Sequence, residues 1–183
     1  PFAATPALNN PLPTPNFVCG NSAPVSLIAL QPQITTQTAT TTFEWYKGDP
    51  AAGGILLDGD GIPISNDNPA SQPIPNGTSV TYFAILTANT TGCSDTISIV
   101  YTAYQPLTGA SATYDCNTGI VLNLSGATGG SGSGYTVAAT SPNQPGDFVD
   151  YLDTWTVIVR DNAGCTQTLT GTSQCPTCNA GAA

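Results

Sequence analysis

One pattern occurs twice in this chain of 183 residues and limits what it can fold into: a cysteine, an alternating apolar strand, an aromatic strand, then an aromatic-led strand running into Gly-Cys. The first copy runs through Val18-Cys19-Gly20, Val25 to Leu30, Phe43-Glu44-Trp45-Tyr46, Thr81 to Leu86 and Gly92-Cys93. The second runs through Asp115-Cys116, Ile120 to Leu124, Gly134 to Val137, Thr154 to Val159 and Gly164-Cys165. Period-two alternation with turn residues between the runs predicts strands. The duplication therefore predicts an all-β chain of two tandem β-sandwich modules, and a repeated module points to an extracellular scaffold or adhesin ahead of an enzyme.

Composition removes several classes of function. The chain has no His or Met, two basic and eleven acidic residues, and a net charge of −9. A surface that neutralises phosphates needs clustered Lys and Arg, and Lys47 and Arg160 stand in separate modules, so nucleic acid is excluded as a partner. The same charge disfavours anionic membranes. No run is long and apolar enough to cross a bilayer. Ser and Thr nucleophiles have no His to activate them. Glu44, alternating with Phe43 and Trp45, reads as the solvent face of a strand and not as half of a glycosidase pair. The reading is of a chain that is not an enzyme and needs no cofactor.

Residues 1–17, with Pro1, Pro6, Pro11, Pro13 and Pro15, read as a Pro-rich arm or linker that can add one edge strand. Residues 18–105 form the first module, 106–175 the second, and 176–183 a linker to a following segment. Trp45, Tyr82 and Trp155 are the expected core anchors, Trp45 being the residue against which two sheets pack. Thr81 to Leu86 and Thr96 to Tyr101, with a turn at Asn89 to Gly92, make the best-defined hairpin. The five glycines between Gly126 and Gly134 predict a flexible loop. Residues 147–153 read as a loop leading to the Trp155 strand. The chain begins at Pro1 without Met or a signal peptide, which reads as a processed piece of something longer.

Modules this small are expected to be cross-linked. The six cysteines, Cys19, Cys93, Cys116, Cys165, Cys175 and Cys178, point to an oxidising compartment and a secreted or cell-surface location. Two cysteines per repeat predict Cys19 with Cys93 and, by analogy, Cys116 with Cys165. Sandwich strand order would place such pairs at opposite ends, so Cys116 with Cys175 stands beside the second pairing as an open alternative. Cys175-Pro176-Thr177-Cys178 lacks the second ligand pair of a zinc site and the βαβ setting of a redox dithiol.

Asp58-Gly59-Asp60-Gly61 with Asp67 is the candidate cation site, since carboxylates two apart on a glycine-bent loop can converge on Ca²⁺. Ile62 occupies the third ligand position of an EF-hand and no Glu closes the loop, so a solvated turn is the simpler account. Asp147, Asp150 and Asp153 carry the same two readings.

The motifs Val18-Cys19-Gly20, Trp45-Tyr46 with Gly53-Gly54-Ile55-Leu56-Leu57, Thr81-Tyr82-Phe83 and Gly92-Cys93-Ser94 in the first module, and Cys116, Ser125 to Gly130 and Trp155 to Cys165 in the second, cover most of residues 18–175. In their order and spacing they resemble the immunoglobulin-like repeats of large cell-surface and secreted proteins of Bacteroidota, including gliding-adhesin repeats exported by the type 9 secretion system. The resemblance implies a non-catalytic stalk or filament segment whose partners are neighbouring repeats, other copies of itself or surface glycans. Two further readings remain: a glycan- or calcium-binding adhesin module using the Asp58 to Asp67 loop or the glycine-rich loop, and a filament subunit that assembles by strand addition.

Overall fold

The computed structural model describes residues 5–9, 17–20 and 24–175. They divide between Tyr104 and Gln105 into two compact units, and strand is the dominant element of both, so the chain is all-β. Residues 10–16, much of the expected arm, and 176–183, the expected linker with Cys178, lie outside the described residues.

In unit 1, strands β1 (Phe17–Val18), β2 (Thr41–Lys47), β3 (Ile55–Leu57), β4 (Thr78–Ala88) and β5 (Ser94–Ala103) form one sheet in the order β1-β5-β4-β2-β3. All pairings are antiparallel except β1 beside β5. The β4–β5 hairpin lies where alternation placed it: Tyr82, Ala84 and Leu86 of β4 and Ile97, Ile99 and Tyr101 of β5 are buried on one face. Successive residues along a strand point to opposite faces, so this face alone carries the core. Trp45 joins it from β2, with Phe43 stacked beside it at 6.3 Å, while Glu44 between them is exposed. Tyr82 and Tyr101 meet edge to face.

What covers that face departs from expectation. Val25 to Leu30 was expected to be a strand; it forms one isolated bridge, Val25 to Gln72, then a 3-10 turn at Ile28–Leu30 and a single α-helical turn at Gln31–Ile34. The buried positions are Leu27, Leu30 and Ile34, spaced by three and four, and Ile28 is exposed. That is helical spacing, and Pro32 in the first turn suits it. Trp45 therefore packs under a helical cover and not between two full sheets. The arm is also tied down in part. Thr35 Oγ1 donates to the Ala7 carbonyl (2.6 Å), Asn9 N donates to the Ile34 carbonyl (2.7 Å), and Asn9 Nδ2 donates to those of Pro32 and Gln33.

Unit 2 holds β6 (Gln105–Thr108), β7 (Ser111–Asp115), β8 (Gly119–Asn123), β9 (Thr128–Gly130), β10 (Thr136–Val137), β11 (Thr154–Arg160) and β12 (Thr166–Thr172). They make three small sheets: β10-β11-β12, β6-β9 and β7-β8. Trp155, Val157 and Val159 alternate inward along β11. Gly171 lies opposite Trp155 in the β11–β12 register, and a Cβ there would overlap the indole ring. The glycine is needed because the tryptophan lies across its own strand partner. Part of the glycine-rich stretch is ordered as β9 instead of forming a free loop, and Tyr135 Oη donates to the Gly129 carbonyl at 2.9 Å.

The cysteines correct the default pairing. Cys116 is bonded to Cys175, with Cα atoms 5.5 Å apart, and not to Cys165. Cys19 and Cys165 each take part in a disulfide as well. Cys93 is a half-buried free thiol after the β4–β5 turn, so the Cys19–Cys93 bridge does not form.

Candidate functional site

The Asp58 to Asp67 loop follows β3. Gly59 and Gly61 adopt φ of +85° and +80°, which bends the chain sharply enough to turn neighbouring carboxylates toward one another. One ligand oxygen from each of Asp58, Asp60 and Asp67 lies within 4.8 Å of the others, with Asp67 buried and the other two exposed. Each carboxylate also closes a turn of the loop. Asp58 Oδ1 accepts from Asp60 N (3.2 Å), Asp60 Oδ1 from Ile62 N (2.8 Å) and Asp67 Oδ2 from Gly61 N (2.8 Å). Gln72 braces the far side through Nε2, which donates to the carbonyls of Asn66 and Asn68. These three side chains can offer oxygen ligands to a hard cation, and they also account for the loop's own shape.

The Asp147, Asp150 and Asp153 segment is a loop, as read, but its apolar residues are what distinguish it. Phe148 is 66% exposed and Tyr151 and Leu152 are each 57% exposed. The backbone beneath them is fixed at several points. Ile120 N donates to the Asp147 carbonyl, Tyr114 Oη donates to the Val149 carbonyl and accepts from Val149 N, each at 3.0 Å. Leu152 N donates to the Ser173 carbonyl (2.8 Å), Ser173 N to that of Asp153 (3.0 Å), and Ser173 Oγ to that of Asp150. Leu152 sits at φ +67°, a left-handed conformation that a bulky residue adopts only when its surroundings impose it. Ser173 is buried two residues before Cys175, so the disulfide and the loop share an anchor.

Asp161, which sequence reasoning took only as part of the Trp155 to Cys165 motif, is a buried clamp. Its Oδ1 accepts from Cys165 N (2.7 Å) and its Oδ2 from Ser131 N, joining the β11–β12 turn to the glycine-rich stretch. Asp115 caps the β7–β8 turn, and hydrogen bonds from Asn117 and Thr118 hold its carboxyl below the usual range. Trp45, Tyr82 and Trp155 are all buried as expected, with their indole and hydroxyl donors unpaired among the described residues.

A cavity of about 90 Å³ in unit 1 is lined in part by Val18, Val25, Gln72 and Ile74. Small-molecule sites usually measure about 300–1,000 Å³, so it is too small to hold a substrate. No described helix is long and apolar enough to span a membrane. No protein-family model, curated protein or solved structure matches the chain.

Proposed function

We propose that the chain is a non-catalytic structural and adhesive segment of a large bacterial extracellular surface protein or filament, built of two tandem immunoglobulin-like modules that act as a disulfide-stapled spacer. The observation that carries this is the Cys116–Cys175 bond, which spans 59 residues and ties the end of the β7 strand to the residues after β12. Closing a loop of that length stabilises a fold by about 4 kcal/mol in the chain-entropy model. It encloses the strands from β8 to β12 of a unit whose strands are divided among three small sheets.

The immunoglobulin-like reading draws support from the strand order of unit 1. A short parallel strand beside the last hairpin strand, then its hairpin partner, then the Trp-bearing strand, then a short strand, is the arrangement of the GFCC′ sheet with an added edge. On this reading the opposite sheet is reduced to the Val25–Gln72 bridge and the helical cover. A disulfide-bonded chain with a surface poor in cations suits an oxidising extracellular setting and partners that are neighbouring repeats, its own copies or neutral surface glycans. The convergence of Asp58, Asp60 and Asp67 favours one second reading, a calcium-binding adhesin module.

The test of the spacer reading is limited proteolysis of the intact chain with and without reductant, with shape and mass measured by X-ray and light scattering. An elongated monomer whose second unit resists protease until it is reduced is expected. A closed oligomer, or a second unit cut equally fast in both states, would overturn the reading.

A further inference from the structure

We propose that the loop from Asp147 to Asp153 is an adhesive contact surface that takes a Lys- or Arg-bearing segment of another protein. The proposal rests on the adhesive reading above and adds to it a site and a partner chemistry.

Three large apolar side chains within five residues, Phe148, Tyr151 and Leu152, face solvent. Exposed aromatics on a polar surface mark contact sites more often than they occur by chance. The loop is rigid enough to serve as one. Its backbone is held to Ile120, Tyr114 and Ser173, so little ordering entropy is left to lose on binding.

Charge selects the partner. The carboxylates of Asp150 and Asp153 are exposed and accept no hydrogen bond from any described residue, and Asp147, half-buried, caps Gln144 N at 2.6 Å. Asp115, exposed, sits on the β7–β8 turn, where Gly119 packs against the Asp147 carbonyl. Unit 2 has one cation, Arg160, at the opposite end of β11 from the loop, about 20 Å along a seven-residue strand. The carboxylates therefore have no counter-charge of their own nearby. Aromatic faces beside unpaired carboxylates suit a guanidinium or ammonium, which stacks on the ring and pairs with the acid together. A second copy of this chain is a poor occupant, because it would bring the same carboxylates against these and has only Lys47 and Arg160 to offer.

The test measures binding of a fluorescein-labelled ten-residue peptide of alternating Arg and Gly to the full chain by anisotropy, at two salt concentrations. The expected result is salt-sensitive binding that weakens about tenfold in F148S/Y151S, which leaves the net charge unchanged. D150N/D153N weakens it and flattens the salt dependence, whereas E44Q/D95N removes two charges from unit 1 and changes affinity less than about twofold. Circular dichroism of each variant checks that the substitutions leave the fold intact. Absence of peptide binding at low salt, or equal affinity of F148S/Y151S and the parent, would overturn the proposal in favour of net-charge attraction. So would loss in F148S/Y151S of binding to neutral chitohexaose in place of the peptide, which would make the loop a sugar platform, or of a dimer seen by light scattering, which would make it a contact between copies. Proteolysis and scattering on the same variants report on the spacer reading separately, so either can fail while the other stands.

Discussion

Gly171 and Trp155 define each other: the glycine lies opposite the tryptophan in register, and the indole occupies the space a side chain would need. Gly171→Val should displace the ring and cost about 1–3 kcal/mol, read as a lowered urea midpoint with a red-shifted tryptophan emission. An unchanged midpoint would mean that the ring has room elsewhere. Tyr82 makes a different kind of prediction. Burial first, and the neighbouring Tyr101 second, push its hydroxyl up to about 12. In the unfolded chain the same group ionises near pH 10. Stability tied to this proton is present in full below pH 10 and is lost as pH rises from there toward 12. Tyr82→Phe removes an unpaired buried hydroxyl, so it should hold or raise stability by about 1 kcal/mol at pH 7 and shift alkaline unfolding upward. Both core aromatics were legible as core from their alternation. Neither the unpaired hydroxyl nor the burial of Asp161 was, because a sequence shows residue type and not what lies across from it.

Legibility at the level of elements followed length. Strands β4 and β5 run 11 and 10 residues with one alternating face and a Gly92 turn, long enough for a period of two to declare itself. The segment from Leu27 to Ile34 offers only three buried positions, and Val25, Leu27 and Ala29 imitate a strand within it. The glycine-rich stretch was misjudged for a related reason: β9 is three residues long and is ordered by its partner β6 and by Tyr135, not by its own composition. The convergence of Asp58, Asp60 and Asp67 was legible from spacing and glycines, whereas the outward aromatics of the 147–153 loop were not. For the acidic loop, each carboxylate already closes a turn, so the loop supports itself without an ion. Thermal midpoints with excess calcium and with chelator should agree within about 1 °C. A rise of several degrees with calcium would turn these turn residues into ligands.

At the scale of the molecule, the two units are unequal solutions to one problem. Unit 1 gathers its core on one face of a five-stranded sheet, while unit 2 divides its core between two clusters and relies on the Cys116–Cys175 bond. The Cys116–Cys175 bond was legible as the alternative that strand order offers, whereas Cys19 with Cys93 followed from the idea that repeated positions have repeated partners, and Cys93 is a free thiol. The Cys116–Cys175 bond also sets the path of a load. With the other bonded cysteines removed, in Cys19→Ser/Cys165→Ser, tension carried along the chain reaches Cys116 and crosses directly to Cys175, so the strands from β8 to β12 are bypassed even if they come apart. Stretched between its two ends, that variant should lengthen less when oxidised than when reduced as its second unit yields. The difference should be about 200 Å, the contour of the 59 residues held out of tension. A single-molecule extension trace that showed the same step in both redox states would mean that the bond is absent from the pulled chain.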